Sequence, residues 1–261
     1  VSTAGPSLES ATSTSNTGVA AHICAAAQGP GARRRLNLEN FPVTMLSDYS
    51  NGIWMCQTHA KLIDTDEVSF TIGMLVRWRE LAELRAQLRQ GSEKKIEVHL
   101  REGNEIPLAV VGKSFQNCNN YAVNELCNAV IYSCISDVWG EDIGHAVKDV
   151  IAELMINSFR HGGATKFDLD IDPKGIRIRS DDRPYAFSQL LSEVDGRGGQ
   201  QAAKLLMEFN REIITSYVRE ENHNILNIVF CTSSEQVLRD TRCSIRFEDF
   251  VSRGFGDSLP D

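Results

Sequence analysis

Long apolar runs are missing from this sequence of 261 residues. No stretch approaches the ~20 consecutive apolar residues that a membrane-spanning helix needs, and the first residues show no secretion signal with a charged start and an apolar core. The hydrophobic fraction is 42%, which is ordinary for a globular protein and sufficient for a sizeable core. We therefore expect a cytoplasmic protein without a membrane partner, built as one large domain or two small ones.

The sequence also lacks the even set of cysteines that is typical of a secreted protein held by disulfides. It has seven cysteines, an odd number, and several lie in apolar surroundings. In the absence of a secretion signal, we expect reduced thiols that pack mostly as small hydrophobic side chains. They are Cys24, Cys56, Cys118, Cys127, Cys134, Cys231 and Cys243.

A strong positive charge is absent too. The net charge of −8 argues against a protein that coats nucleic acid in general. The charge is unevenly divided, since residues 1–95 hold 10 Lys and Arg against 9 Asp and Glu, whereas residues 96–261 hold 17 against 26. The difference between a net charge of +1 and one of −9 predicts two modules with different functions.

Local patterns predict an α+β chain with a boundary near residues 91–95. Residues 1–17 are rich in Ser, Thr, Gly and Ala and are predicted to be flexible. A first module over 18–91 and a second over 95–250 follow, and 251–261 form a tail. The apolar periodicity predicts strands at 18–25, 51–56, 95–101, 106–111, 212–219, 225–231 and 243–248, a hairpin around 172–175, and helices at 59–63, 71–90, 119–137, 143–161 and 200–209.

The segments AHICAA and NGIWMCQTHAKLID are separated by a basic, Gly-rich loop and followed by a helix. This arrangement resembles the HNH endonuclease family over about residues 18–85. The resemblance implies a small ββα module in which His22 is the general base that activates water and Asn51 orients it. A further residue on the helix would hold a divalent metal, Mg²⁺ or Mn²⁺, that stabilises the leaving phosphate oxygens. The implied substrate is nucleic acid, first of all DNA, whose phosphates are matched by three loop arginines, Arg33, Arg34 and Arg35.

The module departs from the family pattern at its metal ligands. Ala21 stands before His22, where an Asp that helps to hold the metal is common. The run CQTHA replaces the family's Cys-x-x-Cys-His, which supplies two ligands of a structural zinc and then the catalytic-metal ligand. Two alternatives are open for the metal candidates Cys56 and His59. Either His59 replaces the second zinc cysteine and Ala60 leaves the catalytic-metal position without a ligand, or His59 holds the catalytic metal, helped by Asp64, and the zinc is lost.

A Zn²⁺ site in the first alternative needs two more ligands, because structural zinc is four-coordinate. The family supplies them from a cysteine pair that precedes the AHI strand. Residues 1–17 contain no cysteine. The resemblance therefore predicts that this pair lies upstream of Val1 or is absent.

The segments DVIAELMINSFRHGG, IRIRSDDRPYAF and GRGGQQAAKLL follow one another in the second module. Over about residues 95–250 they resemble the GHKL ATPases, a group that includes gyrase B and the histidine kinases. The resemblance implies a Bergerat fold, in which helices cover one face of a mixed sheet and ATP lies between the two layers. Glu153 would activate the attacking water, and Asn157 would bind the Mg²⁺ that bridges the phosphates. Their spacing of four residues places both side chains on one side of a helix.

The other two motifs of the resemblance concern the base and the phosphates. Asp181 stands where the family's Asp-x-Gly motif binds the adenine amino group, although Arg183 replaces the glycine. A Gly-rich loop ahead of a helix is suited to hold phosphate with its backbone N–H groups. Its glycines are Gly196, Gly198 and Gly199.

Taken together, the two resemblances predict a nucleotide-regulated HNH-type nuclease in which ATP binding by the second module controls metal-dependent cleavage by the first. Such a pairing suits bacterial anti-phage defence, with a second copy of the chain or an operon-encoded protein as partner. The alternative is a sensor without catalysis, whose altered HNH-like module binds DNA or a protein while ATP acts as the switch. A third hypothesis is an ATPase whose HNH-like part is an adaptor. The sequence leaves open whether the chain is an enzyme.

Overall fold

The structure is a computed structural model. It describes residues 8–9, 14–15, 18–27, 29–35, 43–91, 108–173, 175–184, 209 and 213–231. Within these ranges, no helix has the length and apolar character that crossing a membrane requires. The predicted strands at 95–101 and 243–248, the helix at 200–209 and the tail at 251–261 lie outside the described residues, as does most of 1–17. The described part of 1–17 consists of two short strands, β1 (Leu8–Glu9) and β2 (Thr14–Ser15), which pair with each other.

The first module contains the two predicted apolar strands and a helix. Strand β3 (Gly18–His22) pairs antiparallel with β4 (Gly52–Cys56), and helix α1 (Gln57–Thr65) follows at once. Short 3₁₀ turns at Val43–Leu46 and Tyr49–Asn51 lead the chain into β4. Side chains alternate across the pair, so one face is buried under the helices and the other meets solvent. This face carries the buried Ala21, Ile53 and Met55 and the half-buried Val19.

Helix α2 (Ile72–Gly91) joins the first module to the second. Its apolar stripe includes Leu75, Trp78 and Leu81, which are all buried. The indole Nε1–H of Trp78 donates to the carbonyl of Tyr132 at 2.7 Å, and the rings of Phe70, Trp78 and Tyr132 lie 4.7–5.9 Å apart. The two modules therefore share one continuous hydrophobic core.

The second module is a sheet covered by helices on one face. Strand β5 (Val111–Phe115) is followed by α3 (Asn120–Tyr132), α4 (Ile135–Trp139) and α5 (Glu141–Asn157). A π-helical turn over Ser158–Gly162 extends α5. The remaining strands are β6 (Phe167–Asp172), β7 (Gly175–Ser180), β8 (Ile213–Glu220) and β9 (His223–Phe230).

The described strands form a five-stranded sheet in the order β5-β6-β7-β9-β8, in which every neighbouring pair is antiparallel. The α+β class is confirmed, but the mixed sheet that we expected is not seen among these strands. For two of the four pairs the physical reason lies in the connections, because β6–β7 and β8–β9 are tight hairpins and such turns can join only antiparallel strands. Alternate residues of β6 and β7 are either buried against the helices or exposed on the open face.

Two predicted elements differ from the observed ones. The helix predicted over 119–137 is broken between α3 and α4, because Cys134 adopts the left-handed conformation with a φ of 67°. Of the strand predicted over 106–111, residues 106–107 lie outside the described residues and 108–110 are not in a strand, and the observed strand begins at Val111. The predicted hairpin is confirmed, and its turn is fixed by Asp172, whose side chain accepts a hydrogen bond from the Gly175 amide at 3.0 Å.

Candidate functional site

A cavity of about 390 Å³ opens where β3 ends and α1 crosses the strand pair. Its lining includes His22 from the strand end, Arg33 and Arg34 from the loop, and Ala60 and Asp64 from α1. Ala60 and Asp64 are four residues apart, so they lie one above the other on the same helix face. An imidazole, a carboxylate and guanidinium groups in one cavity can move a proton and bind a phosphate.

Asn51 fixes the backbone that follows His22. The side chain is buried, its Oδ1 accepts from the Cys24 amide at 2.7 Å, and its Nδ2 donates to the carbonyls of Cys24 at 2.9 Å and Leu46 at 3.0 Å. The carbonyl of Asn51 also accepts from the Ile23 amide at 2.8 Å. Asn51 therefore orients the strand end through its backbone, which is a positioning role and requires no contact with the imidazole.

The buried Arg34 links the elements that form the cavity through hydrogen bonds. Its guanidinium donates to the Ile23 carbonyl at 2.8 Å through Nε, to the Ile63 carbonyl through Nη1, and to Asp64 at 3.3 Å through Nη2. The side chain is only 4% exposed, whereas that of Asp64 is 66% exposed. Arg34 thus connects the strand end to α1, a role that the sequence does not distinguish from those of its neighbours.

The other two loop arginines stay at the surface. Arg33 donates to the Thr65 carbonyl at 3.0 Å and Arg35 to the Gly29 carbonyl at 2.8 Å, and both residues are exposed. A guanidinium has five N–H donors, so one hydrogen bond to a carbonyl leaves several for a phosphate. Of the three predicted phosphate contacts, Arg33 and Arg35 are accessible and Arg34 is committed to the fold.

Cys56 and His59 form a pair at the beginning of α1. The Cys56 Sγ lies 2.9 Å from the His59 Nδ1, whereas the lining of the His22 cavity includes Ala60 and Asp64. His59 is therefore not among the residues that line the His22 cavity, and the alternative in which it replaces a zinc cysteine stays a prediction. A thiolate and an imidazole are ligands that zinc prefers, but they are two of the four that it needs. Within the described ranges, no group of three or more His, Cys, Asp or Glu side chains is placed to hold a metal ion.

Glu153 and Asn157 lie on the last two turns of α5. They continue the helix face that carries Ala146 and Val150, both of which are buried, so the two polar side chains lie along one edge of the buried surface. Both are half-buried. Burial raises the pKa of Glu153 above its ordinary value, as expected for a carboxylate that is partly withdrawn from water.

The carboxylate of Asp181, the predicted adenine-binding residue, is already hydrogen-bonded to other residues of the protein. Its carboxylate accepts from the amides of Thr165 at 2.8 Å and Lys166 at 2.9 Å, and from the Thr165 hydroxyl at 2.5 Å. Partial burial favours the neutral acid, but the hydrogen bonds from Thr165 and Lys166 outweigh it and lower the pKa of Asp181. This carboxylate fixes the loop between the π-helical turn and β6.

The neighbouring Asp182 faces the helical layer instead. In β7, Ile176, Ile178 and Ser180 are buried on the helix side, and the same alternation places Asp182 on that side. Asp182 is 4% exposed, and its Oδ1 accepts from the Ser180 hydroxyl at 2.7 Å and from the Asn224 Nδ2. Its Oδ2 accepts no hydrogen bond from the described part of the chain.

Gly162 brings the end of α5 against the end of β7. A Cβ atom on Gly162 would lie 2.7 Å from both the Cβ and the Oδ2 of Asp182, so only glycine fits here. The Gly162 carbonyl also accepts from the Arg183 amide at 3.1 Å. The structure therefore joins Asp182 to the helix that carries Glu153 and Asn157. The motif points to Asp181 and misses Asp182. The alternation of buried and exposed side chains along β7 could have identified Asp182 from the sequence.

Comparison with known proteins assigns no family to the chain. No family model matches it, and no curated protein matches it. The functional argument therefore depends on the geometry of the two sites. Gly196, Gly198 and Gly199 lie outside the described residues, so the phosphate-binding loop stays a prediction.

Proposed function

We propose that this chain is a nucleotide-regulated nuclease, in which an HNH-like module cleaves nucleic acid under the control of an ATP-binding, GHKL-like module. The observation that carries the proposal is the cavity that gathers His22, Arg33 and Asp64 around a strand end held by Asn51 and Arg34. A phosphodiester requires a base for the attacking water and positive charge for the phosphate, and these residues supply both.

In the proposed reaction, the His22 imidazole takes a proton from the water that attacks phosphorus. The bond from phosphorus to the leaving oxygen then breaks, and that oxygen takes a proton from solvent water. The exposed position of His22 at the strand end allows a substrate to reach it. The hydrogen bonds of Asn51 hold the adjacent backbone, which limits the orientations that the imidazole can adopt. Arg33, exposed at the rim, contacts a phosphate oxygen.

The residues present fit a divalent metal only in part. Asp64 offers a carboxylate in the cavity, and Mg²⁺ is commonly held by one or two carboxylates together with water and substrate phosphates. The Arg34 guanidinium, 3.3 Å from Asp64, competes for that carboxylate. A bound metal would stabilise negative charge on the phosphate oxygens.

For the second module we propose Asp182 as the acceptor of the adenine amino group, in place of Asp181. The support is that Asp182 Oδ2 is directed to the helical side, beside Gly162. Asn157 would hold Mg²⁺ on the phosphates, and Glu153, with its raised pKa, would accept a proton from the attacking water.

A second candidate function is the sensor without catalysis. The observation that favours it is Ala60, a methyl group that lines the cavity at the position where the family resemblance places the metal ligand. In this case the same cavity binds nucleic acid or a protein segment, and ATP binding alone is the signal.

Plasmid nicking with Mg²⁺ or Mn²⁺, with and without ATP, separates the two candidates. We expect His22→Ala to abolish nicking and His145→Ala, an exposed histidine on α5, to leave it unchanged. Nicking that persists in His22→Ala would overturn the site assignment. If the unaltered protein cuts neither DNA nor RNA with any divalent metal, the nuclease is excluded and the sensor stands.

A further inference from the structure

Trp54 exposes part of its indole on the open face of the strand pair that ends at His22. The side chain of Trp54 is 42% exposed, whereas Trp78 is buried and Trp139 is half-buried and stacks on Phe230. These three are all the tryptophans of the chain. Trp54 is therefore the indole that solvent, or a ligand, can reach.

The strand register places Trp54 on the same face as His22. Ala20 pairs with Trp54 and His22 pairs with Gly52, and residues directly opposite each other share a face. His22 and Trp54 are therefore diagonal neighbours, whose separation is about 7–8 Å in an antiparallel pair. The other face of the pair is the buried one.

Small residues clear the space around the indole. A Cβ atom on Gly18 would lie 2.4–2.6 Å from Nε1, Cε2 and Cζ2 of Trp54, so the ring lies over Gly18, at the end of β3 opposite to His22, where only a glycine leaves room. Ala20 and Gly52 are the other neighbours on this face. The ring is thus supported on one side by backbone and open on the other.

We propose that Trp54 stacks on an unpaired base of the strand that enters the His22 cavity, so that the site selects single-stranded or locally unpaired nucleic acid. The inference rests on the proposed function, since it assumes a nucleic-acid substrate. An exposed aromatic face binds a base face irrespective of its sequence, and bases within a duplex have their faces covered by their neighbours. The exposed Arg33, which lines the His22 cavity, matches a phosphate of the same strand.

The test measures binding of an oligothymidylate and of a duplex of the same length, in EDTA so that no cleavage occurs. Because Trp54 is the exposed indole, the single strand should quench the tryptophan fluorescence of the unaltered protein. Anisotropy of a labelled oligonucleotide should show that Trp54→Ala weakens single-strand binding about tenfold, that Trp54→Phe retains most of it, and that duplex binding changes little. The matched control is Tyr121→Ala, which removes an exposed aromatic from α3 and should bind as the unaltered protein does.

Each outcome bears on the inference separately from the nuclease. Unchanged single-strand binding in Trp54→Ala, or an equal loss for the duplex, overturns the role of Trp54 and leaves the nuclease proposal intact. Absence of binding to any oligonucleotide overturns the role of Trp54, whereas the nuclease proposal is overturned only by the absence of nicking with every divalent metal. If the unaltered protein never nicks, and a single strand still quenches the tryptophan fluorescence of His22→Ala, the stacking role of Trp54 is supported. The module is then a sensor of single strands. Thermal melting monitored by circular dichroism verifies that each variant is folded.

Discussion

Replacing Asp182 by Asn should weaken ATP binding sharply while keeping the shape of the side chain. Oδ1 of Asp182 is already bound by Ser180 and Asn224, so the new amide must place its oxygen there and its NH₂ group where Oδ2 was. That NH₂ group would then face the adenine amino group, donor against donor. The reverse orientation sets the NH₂ group against the Nδ2 of Asn224, which is no better.

The magnitude follows from the loss of one charge-assisted hydrogen bond. Such a bond contributes about 1.5–3 kcal/mol, which corresponds to roughly 10- to 150-fold in Kd. Titration calorimetry with ATP and Mg²⁺ measures this directly. The matched control is Asp181→Asn, whose carboxylate is held by Thr165 and Lys166 and should leave ATP affinity nearly unchanged.

The opposite ranking of the two variants would refute the reasoning. If Asp181→Asn abolishes ATP binding and Asp182→Asn does not, the adenine-binding residue is the one given by the motif and not the one given by the alternation along β7. Asp182 then serves only to join β7 to β9. Equal affinity in both variants would remove both residues from the site. Competition with GTP distinguishes a lost adenine contact from a general loss, because only adenine offers an amino group at that position.

Three further predictions concern buried or partly buried charges. Arg34→Met should lower the free energy of unfolding by about 2–5 kcal/mol, because the buried Ile23 and Ile63 carbonyls lose their donor, whereas Arg35→Met should change it by less than about 0.5 kcal/mol in denaturant titrations. Glu153→Gln should slow any ATP turnover about 10²- to 10⁴-fold. Because the pKa of Glu153 is raised in the folded protein, the same variant should be more stable than the unaltered protein near neutral pH, and this difference should vanish once the pH falls below the ordinary pKa of Glu. The pKa of Asp181 is lowered in the folded protein, so its ionised carboxylate stabilises the fold above the ordinary pKa of Asp, and this effect is lost as the pH falls through the folded pKa. Asp181→Asn should therefore melt at a lower temperature than the unaltered protein at neutral pH, and at the same temperature in strong acid.

Elements whose structure depends on neighbouring residues in the sequence could be predicted from the sequence alone. The hairpin of β6 and β7 follows from alternating side chains and a turn that Asp172 stabilises, and α2 follows from its apolar period. The break at Cys134 has no such signal, because a left-handed cysteine is imposed by the packing of α3, α4 and α5.

The candidate sites were predictable to a different degree. The spacing of Glu153 and Asn157 and the position of His22 at a strand end are properties of one element, and the structure retains them. The choice between Asp181 and Asp182 depends on which strand face meets the helices. The function of Arg34 depends on Ile63 and Asp64, which lie 29 and 30 residues away in the sequence. Such contacts arise from tertiary structure, so a triplet of arginines gives no indication of which one is buried.

The contacts between the modules give the proposed regulation a mechanical route. Arg85 of α2 donates to the Asp137 carboxylate at 2.9 Å and to its backbone carbonyl at 2.5 Å, and Asp137 lies on α4 directly ahead of α5. On its other side, Arg79 of α2 donates to the Ser50 carbonyl, next to the Asn51 that holds the His22 strand end. A movement of α5 on nucleotide binding would therefore reach the cavity through one helix, whose Arg79 and Arg85 make polar contacts to the two modules. Coupling of this kind requires two arrangements of the connecting element. The backbone around α5 departs from regular α-helix at the left-handed Cys134, ahead of α4, and at the π-helical turn that extends α5.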